Sequence, residues 1–140
     1  MKKIILLLFS MLTVFTVYAH DPILTVEDLK DGTILIQGGF SNGESAEGVD
    51  LYILKDKPYD GEEETFEGKL ILFKTEFDST NEIEIVKPKT AKYVIVFDAG
   101  PGHIKEVKGP KLTKEEMENW EKLIKKDKML KDFYKKMTEK

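Results

Sequence analysis

Short apolar segments separated by turn signals run from residue 23 to residue 107, and this pattern restricts the chain to a β-rich fold. Apolar residues alternate with polar ones, as in Ile34 and Ile36, so that one face of each segment is apolar. The segment 93–97 is apolar on both faces, which is typical of a central strand. We therefore predict an all-β fold, a seven-stranded immunoglobulin-like or Greek-key sandwich. The predicted strands are 23–29, 33–37, 49–55, 69–75, 82–86, 91–98 and 103–107, with a two-residue hairpin turn at Asp31-Gly32.

The character of the sequence changes after Gly109-Pro110. Thr113 and Glu116 have the spacing of a helix capping box. Apolar residues then recur at helical spacing, which predicts one amphipathic helix over residues 114–137. The spaced residues are Met117, Trp120, Ile124, Leu130, Phe133, Tyr134 and Met137. The sequence thus divides into a sandwich domain over residues 20–108 and a linker with a C-terminal helix over residues 109–140.

Residues 1–19 have the three-part layout of a secretory signal peptide. Lys2 and Lys3 give a positive start, residues 4–18 are apolar apart from hydroxyl groups, and Ala19 is a small residue at the cleavage point. The apolar run is short for a membrane span, which needs about 20 residues. We expect a periplasmic or secreted protein that begins with His20 and has no integral membrane segment after cleavage.

Composition excludes several classes of site. The chain has no cysteine, which excludes disulfides and thiolate metal ligands. It has a formal net charge of −4 and no arginine, which argues against nucleic-acid binding because that requires clustered positive charge. No nucleophile–base constellation and no phosphate-binding loop is present, so we expect a protein that is not an enzyme.

The two histidines of the chain, His20 and His103, are the candidate metal ligands. If seven strands alternate in direction, the start of the first strand and the turn before the last lie at the same end of the sandwich. A mature N-terminal His20 would offer its α-amine and its ring Nδ1 to one metal ion, and His103 would add a third nitrogen. Nitrogen donors suit Cu(II) or Ni(II). Asp98 and Asp21 are candidate carboxylate ligands or orienting groups.

The same residues carry a family resemblance. The chain has His20 at the predicted start, Phe40-Ser41-Asn42-Gly43 in an early turn, and Val96-Phe97-Asp98-Ala99-Gly100-Pro101-Gly102-His103 in a late hairpin. Over residues 20–108 it resembles small exported domains associated with nickel or cobalt uptake transporters. The resemblance implies a periplasmic component that handles nickel or cobalt, with an envelope metal transporter as partner. Copper-binding periplasmic sandwiches are a more distant likeness. Such components commonly continue into a membrane helix. Residues 113–140 of this chain carry too many lysines for a membrane helix.

A second hypothesis stays open. The sandwich would be a scaffold, and the aromatic face of the C-terminal helix would bind a protein partner in the envelope. Trp120, Phe133 and Tyr134 would form that contact surface.

Overall fold

The computed structural model describes residues 20–126; the predicted signal peptide and residues 127–140, including Phe133 and Tyr134, lie outside them. Strands dominate this part of the chain, and one helix follows them, which confirms an all-β fold with a C-terminal helix. The elements are β1 (Pro22–Asp28), β2 (Thr33–Phe40), β3 (Asp50–Pro58), β4 (Thr65–Phe66), β5 (Lys69–Glu76), β6 (Glu82–Val86), β7 (Tyr93–Asp98), β8 (Ile104–Lys108) and α1 (Lys114–Lys126).

The strands form two antiparallel sheets. One has the order β1-β2-β6 and the other the order β4-β5-β3-β7-β8. Seven of the strands overlap the seven predicted ones, and the two-residue strand β4 was not predicted. The bounds of β6 agree with the predicted 82–86, whereas β2 continues three residues beyond the predicted end at residue 37.

The main core is built from the inward faces of both sheets. Alternating residues such as Ile34 and Ile36 of β2 and Leu51 and Ile53 of β3 are fully buried in it. Phe97 of β7 joins the same core. The period-two pattern of the sequence thus selects the buried face, because successive side chains of a strand point to opposite sides of the sheet.

A smaller apolar cluster lies on the opposite face of the five-stranded sheet. It consists of Tyr52 and Leu54 from β3 with Val94 and Val96 from β7. Phe66 stacks on Tyr52 with ring centroids 4.5 Å apart. This second cluster explains why Tyr93–Phe97 is buried on both faces, and it confirms the prediction that this segment is a central strand.

The β1–β2 connection differs from the predicted two-residue turn at Asp31-Gly32. Four residues, 29–32, separate the two strands. Lys30 and Gly32 both have positive φ, at 61° and 92°, and Leu29 N–H donates to the carbonyl of Thr33 at 3.2 Å. The Asp-Gly pair therefore marks the hairpin correctly but not its length, because Lys30 also adopts the left-handed conformation.

Helix α1 begins as the capping box predicts. Glu116 N–H donates to Thr113 Oγ1 at 3.2 Å, and a Glu116 carboxylate oxygen accepts from Thr113 N–H at 2.7 Å. The described helix ends at Lys126, so the predicted continuation to residue 137 lies outside the described residues. Between residues 20 and 126 no helix is long and apolar enough to cross a membrane.

Candidate functional site

The strand registers place His20 and His103 at the same end of the two sheets. Pro22, two residues after His20, pairs with Phe40, and Asp98 pairs with Ile104, the residue after His103. The ring of Phe40 meets that of Phe97 edge-on at 5.5 Å, which joins the two sheets at this end. β1 and β8 are edge strands that contact each other, and both run away from this end. The two histidines therefore precede neighbouring strands; this region is called the histidine end below.

The segment that carries His20 is held to the turn after β2. Asp21 N–H donates to Ser41 Oγ at 3.1 Å, and Ser41 N–H donates to the Asp21 carbonyl at 2.9 Å. His20 Nε2 lies 3.8 Å from Glu44 Oε1, with both side chains partly exposed. Glu44 was not predicted as a site residue, because its nearness to His20 depends on this turn and not on sequence spacing.

The position of His103 is set by a tight turn. His103 N–H donates to the Gly100 carbonyl at 2.9 Å, and Gly100 N–H donates to Asp98 Oδ1 at 3.0 Å. His103 Nδ1 lies 3.3 Å from the Pro101 carbonyl oxygen. Because a carbonyl oxygen only accepts, this contact favours the tautomer with the proton on Nδ1. The lone pair of Nε2 is then available to a metal ion.

The predicted ligands do not form a cluster in the described part of the uncleaved chain. Among residues 20–126 there is no group of three or more His, Asp or Glu side chains that could hold a metal ion. Asp98 accepts a hydrogen bond inside its own turn, and Asp21 is exposed. The nitrogen of His20 is a peptide amide while residue 19 is attached. Cleavage would convert it to an amine, so the uncleaved chain lacks one of the predicted donors.

The opposite end of the sheets holds a buried ion cluster that sequence reasoning missed. The Lys87 side chain is fully buried, and its Nζ lies 2.8 Å from Asp28 Oδ1 and 3.0 Å from both carboxylate oxygens of Glu116. Burial lowers the pKa of Lys87, but its bonds to the two carboxylates outweigh burial and raise the pKa above its usual value. The cluster joins β1, the end of β6 and α1 through charge-assisted hydrogen bonds.

The aromatic face of α1 packs on the sheets. Trp120 is buried, and its Nε1–H donates to the Lys87 carbonyl at 2.9 Å, while Ile124 is buried beside the same core. Trp120 is therefore not part of an exposed contact surface, which corrects that part of the interaction-module hypothesis. Met117 is the large apolar residue of α1 that remains exposed, at 45%.

Comparison of the chain with protein-family models, with curated proteins and with solved structures found no match.

Proposed function

We propose that the chain is exported, is cleaved before His20, and then binds one transition-metal ion through His20 and His103. The observation that carries the proposal is the placement of the two histidines. They precede two contacting edge strands, β1 and β8, at the same end of the molecule. Backbone hydrogen bonds fix the position of both histidines. His20 is held through its neighbour Asp21, which bonds to Ser41, and His103 is held by its own N–H, which donates to the Gly100 carbonyl.

The donor set determines the class of metal. The α-amine and ring Nδ1 of His20 close a chelate, and Nε2 of His103 adds a third nitrogen. An α-amine has a reference pKa of about 8, so a metal ion displaces its proton readily near neutral pH. Three nitrogen donors favour Cu(II) or Ni(II); cobalt is implied by the resemblance to uptake-transporter components. Glu44 would orient the His20 ring or supply an oxygen ligand, and Asp98 would hold the turn.

The arrangement of strands supports an immunoglobulin-like sandwich as the carrier of this site. The chain changes sheets three times, after β2, β5 and β6, and neighbouring strands within each sheet are antiparallel. Immunoglobulin-type sandwiches likewise place three inter-sheet connections between their first and last strands. In this arrangement the first and last strands are neighbours, which is what brings the two histidine segments to one edge.

The biological role we propose is buffering or delivery of the metal in the cell envelope, without catalysis. A ligand set of three nitrogens near the surface permits transfer to a partner such as an envelope transporter, because the metal is reached from solution. His20 is partly exposed, with 43% of its side chain accessible, which fits such an exchange.

Calorimetry with Cu(II) and Ni(II) tests the proposal on chain that begins at His20. We expect binding of one ion per chain. A chain whose His20 α-amine is acetylated lacks the chelating amine, and His103→Ala lacks the third nitrogen; both should bind at least about tenfold more weakly. Lys105→Ala, two residues beyond His103, is the matched control. No binding by the chain that begins at His20, or equal affinity in all four proteins, would refute the site.

A further inference from the structure

Two neighbouring depressions lie at the end of the sheets opposite the histidines. Their volumes are about 310 Å³ and 490 Å³, and they share Lys89, Thr90 and Ala91. Both volumes are in the range of small-molecule sites. We call the pair the lysine groove, after the five lysines that line it in the described part of the chain: Lys55, Lys57, Lys89, Lys92 and Lys111.

The charge of the lysine groove is opposite to that of the whole chain. The chain carries a formal net charge of −4, yet among residues 20–126 a single carboxylate, Asp56, lines the groove beside the five lysines. Asp56 Oδ1 already pairs with Lys69 Nζ at 3.0 Å. That hydrogen bond, aided by the charges of Lys108 and Lys92, outweighs burial and lowers the pKa of Asp56. Five lysines beside one carboxylate that is already paired make the local field positive, and such a field favours an anion.

One part of the groove is apolar. Leu112 and the exposed Met117 line the smaller depression together with Ala91. The backbone beneath is held firmly, since Tyr93 Oη donates to the Pro110 carbonyl at 2.7 Å and Gly109 N–H donates to the Tyr93 carbonyl at 3.0 Å. A positively charged rim beside a fixed apolar surface is complementary to a molecule with an anionic head and an apolar chain.

We infer that the lysine groove binds an amphipathic phosphate. The phosphate lies among Lys57, Lys89 and Lys92, and a short alkyl chain lies against Leu112 and Met117. This binding site is separate from the proposed metal site, because it lies at the other end of the sheets. Either a free alkyl phosphate or an anionic phospholipid has the required chemistry.

Trp120 provides an internal reporter for this site. It is the single tryptophan of the chain, and Lys89 Nζ lies 5.4 Å from the centroid of its ring. A phosphate that draws Lys89 away from the indole changes the environment of the ring, so the emission of Trp120 should shift on binding. The experiment therefore needs no label.

The test is titration with octyl phosphate below its micelle concentration, followed by Trp120 fluorescence and by calorimetry. Octyl glucoside, which has the chain without the charge, and inorganic phosphate, which has the charge without the chain, should each bind at least about tenfold more weakly. The affinity for octyl phosphate should also fall as salt is added. Vesicles of phosphatidylglycerol, added in a separate arm, show whether the source is a free phosphate or a bilayer lipid.

Variants locate the site. Lys89→Gln with Lys92→Gln should weaken octyl phosphate binding about tenfold. Lys105→Gln with Lys122→Gln removes the same charge from exposed positions that do not line the groove, and should leave the affinity unchanged. Met117→Gln should reduce the advantage of octyl phosphate over inorganic phosphate. Equal losses in the two lysine pairs, or equal binding of octyl phosphate and octyl glucoside, would overturn the inference.

Discussion

The Lys87 ammonium group and the Glu116 carboxylate form a buried bidentate pair, with Nζ 3.0 Å from each carboxylate oxygen. Lys87 is the residue directly after β6, and Glu116 lies in the first turn of α1. Glu116 also accepts from Thr113 N–H. Burial raises the pKa of Glu116, but its bonds to Thr113 and Lys87 outweigh burial and lower it. One carboxylate therefore both starts the helix and attaches it to the sheets.

Loss of Lys87 should destabilise the protein strongly. Lys87→Met leaves Asp28 and Glu116 without their shared cation in a buried place, which costs about 3–5 kcal/mol of unfolding free energy. Lys30→Met is the matched control, because Lys30 pairs with the same Asp28 but is 79% exposed, and it should cost about 0–1 kcal/mol. Urea denaturation followed by Trp120 fluorescence measures both. Equal effects of the two substitutions would contradict the proposed importance of the cluster.

Stability should fall in acid through Asp28. Burial raises the pKa of Asp28, but hydrogen bonds from Lys87 and Lys30 outweigh it and lower the pKa from 3.8 to about 2. Since the folded pKa lies below the unfolded one, the carboxylate stabilises the fold by about 2 kcal/mol above pH 4, and this contribution is lost between pH 4 and pH 2.

The pH dependence can be assigned with Asp28→Asn. In urea denaturation at several pH values, the difference in unfolding free energy between the wild type and this variant should shrink as the pH falls from 4 to 2. Glu84→Gln, at an exposed position of β6, is the control and should differ little from the wild type at every pH. A constant difference for Asp28→Asn would show that Asp28 is not the titrating group.

Adjacent glycines of β2 should respond differently to alanine. A Cβ at Gly38 would lie 2.8 Å from the buried ring of Phe77 and 3.0 Å from that of Phe97, so Gly38→Ala should destabilise by about 1–3 kcal/mol. A Cβ at Gly39 meets only the Glu44 carbonyl at 3.8 Å, and Gly39→Ala should be neutral or stabilising by up to about 1 kcal/mol. Thermal denaturation distinguishes them, and similar melting temperatures would contradict the packing described here.

Asp98 should influence the proposed metal site through the turn. Asp98→Ala removes the acceptor for Gly100 N–H and should weaken metal binding about tenfold, because His103 is then less well positioned. Asp98→Asn keeps an oxygen acceptor and should preserve most of the affinity. If both variants lose the metal equally, the charge of Asp98 is needed and it is a direct ligand.

The sequence predicts those parts of the fold that depend on neighbours in the chain. Alternation located Ile34 and Ile36 in the core, and the spacing of Thr113 and Glu116 located the start of α1. The length of the β1–β2 turn could not be predicted, because Lys30 adopts the left-handed conformation and a lysine does not signal that conformation in the sequence.

The ion cluster could not be predicted, because it depends on residues far apart in the chain. In the sequence Lys87 is an ordinary lysine before Pro88 and would be expected on the surface. It is buried because Asp28 of β1 and Glu116 of α1 come together around its ammonium group. The alternating direction of the predicted strands could place His20 and His103 at the same end of the sandwich. It could not give the contact between His20 and Glu44, which arises from hydrogen bonds across the turn after β2.

The helix and the histidine end occupy opposite poles, and this decides how the protein should be attached to a surface or a reporter. A tag placed before His20 would keep its nitrogen acylated and would stand where the proposed metal enters. Anchoring through a side chain of α1, such as the exposed Lys122, would instead point the histidine end towards the solution. Immobilised in that orientation, the chain could be presented with metal ions or with transporter fragments without obstruction.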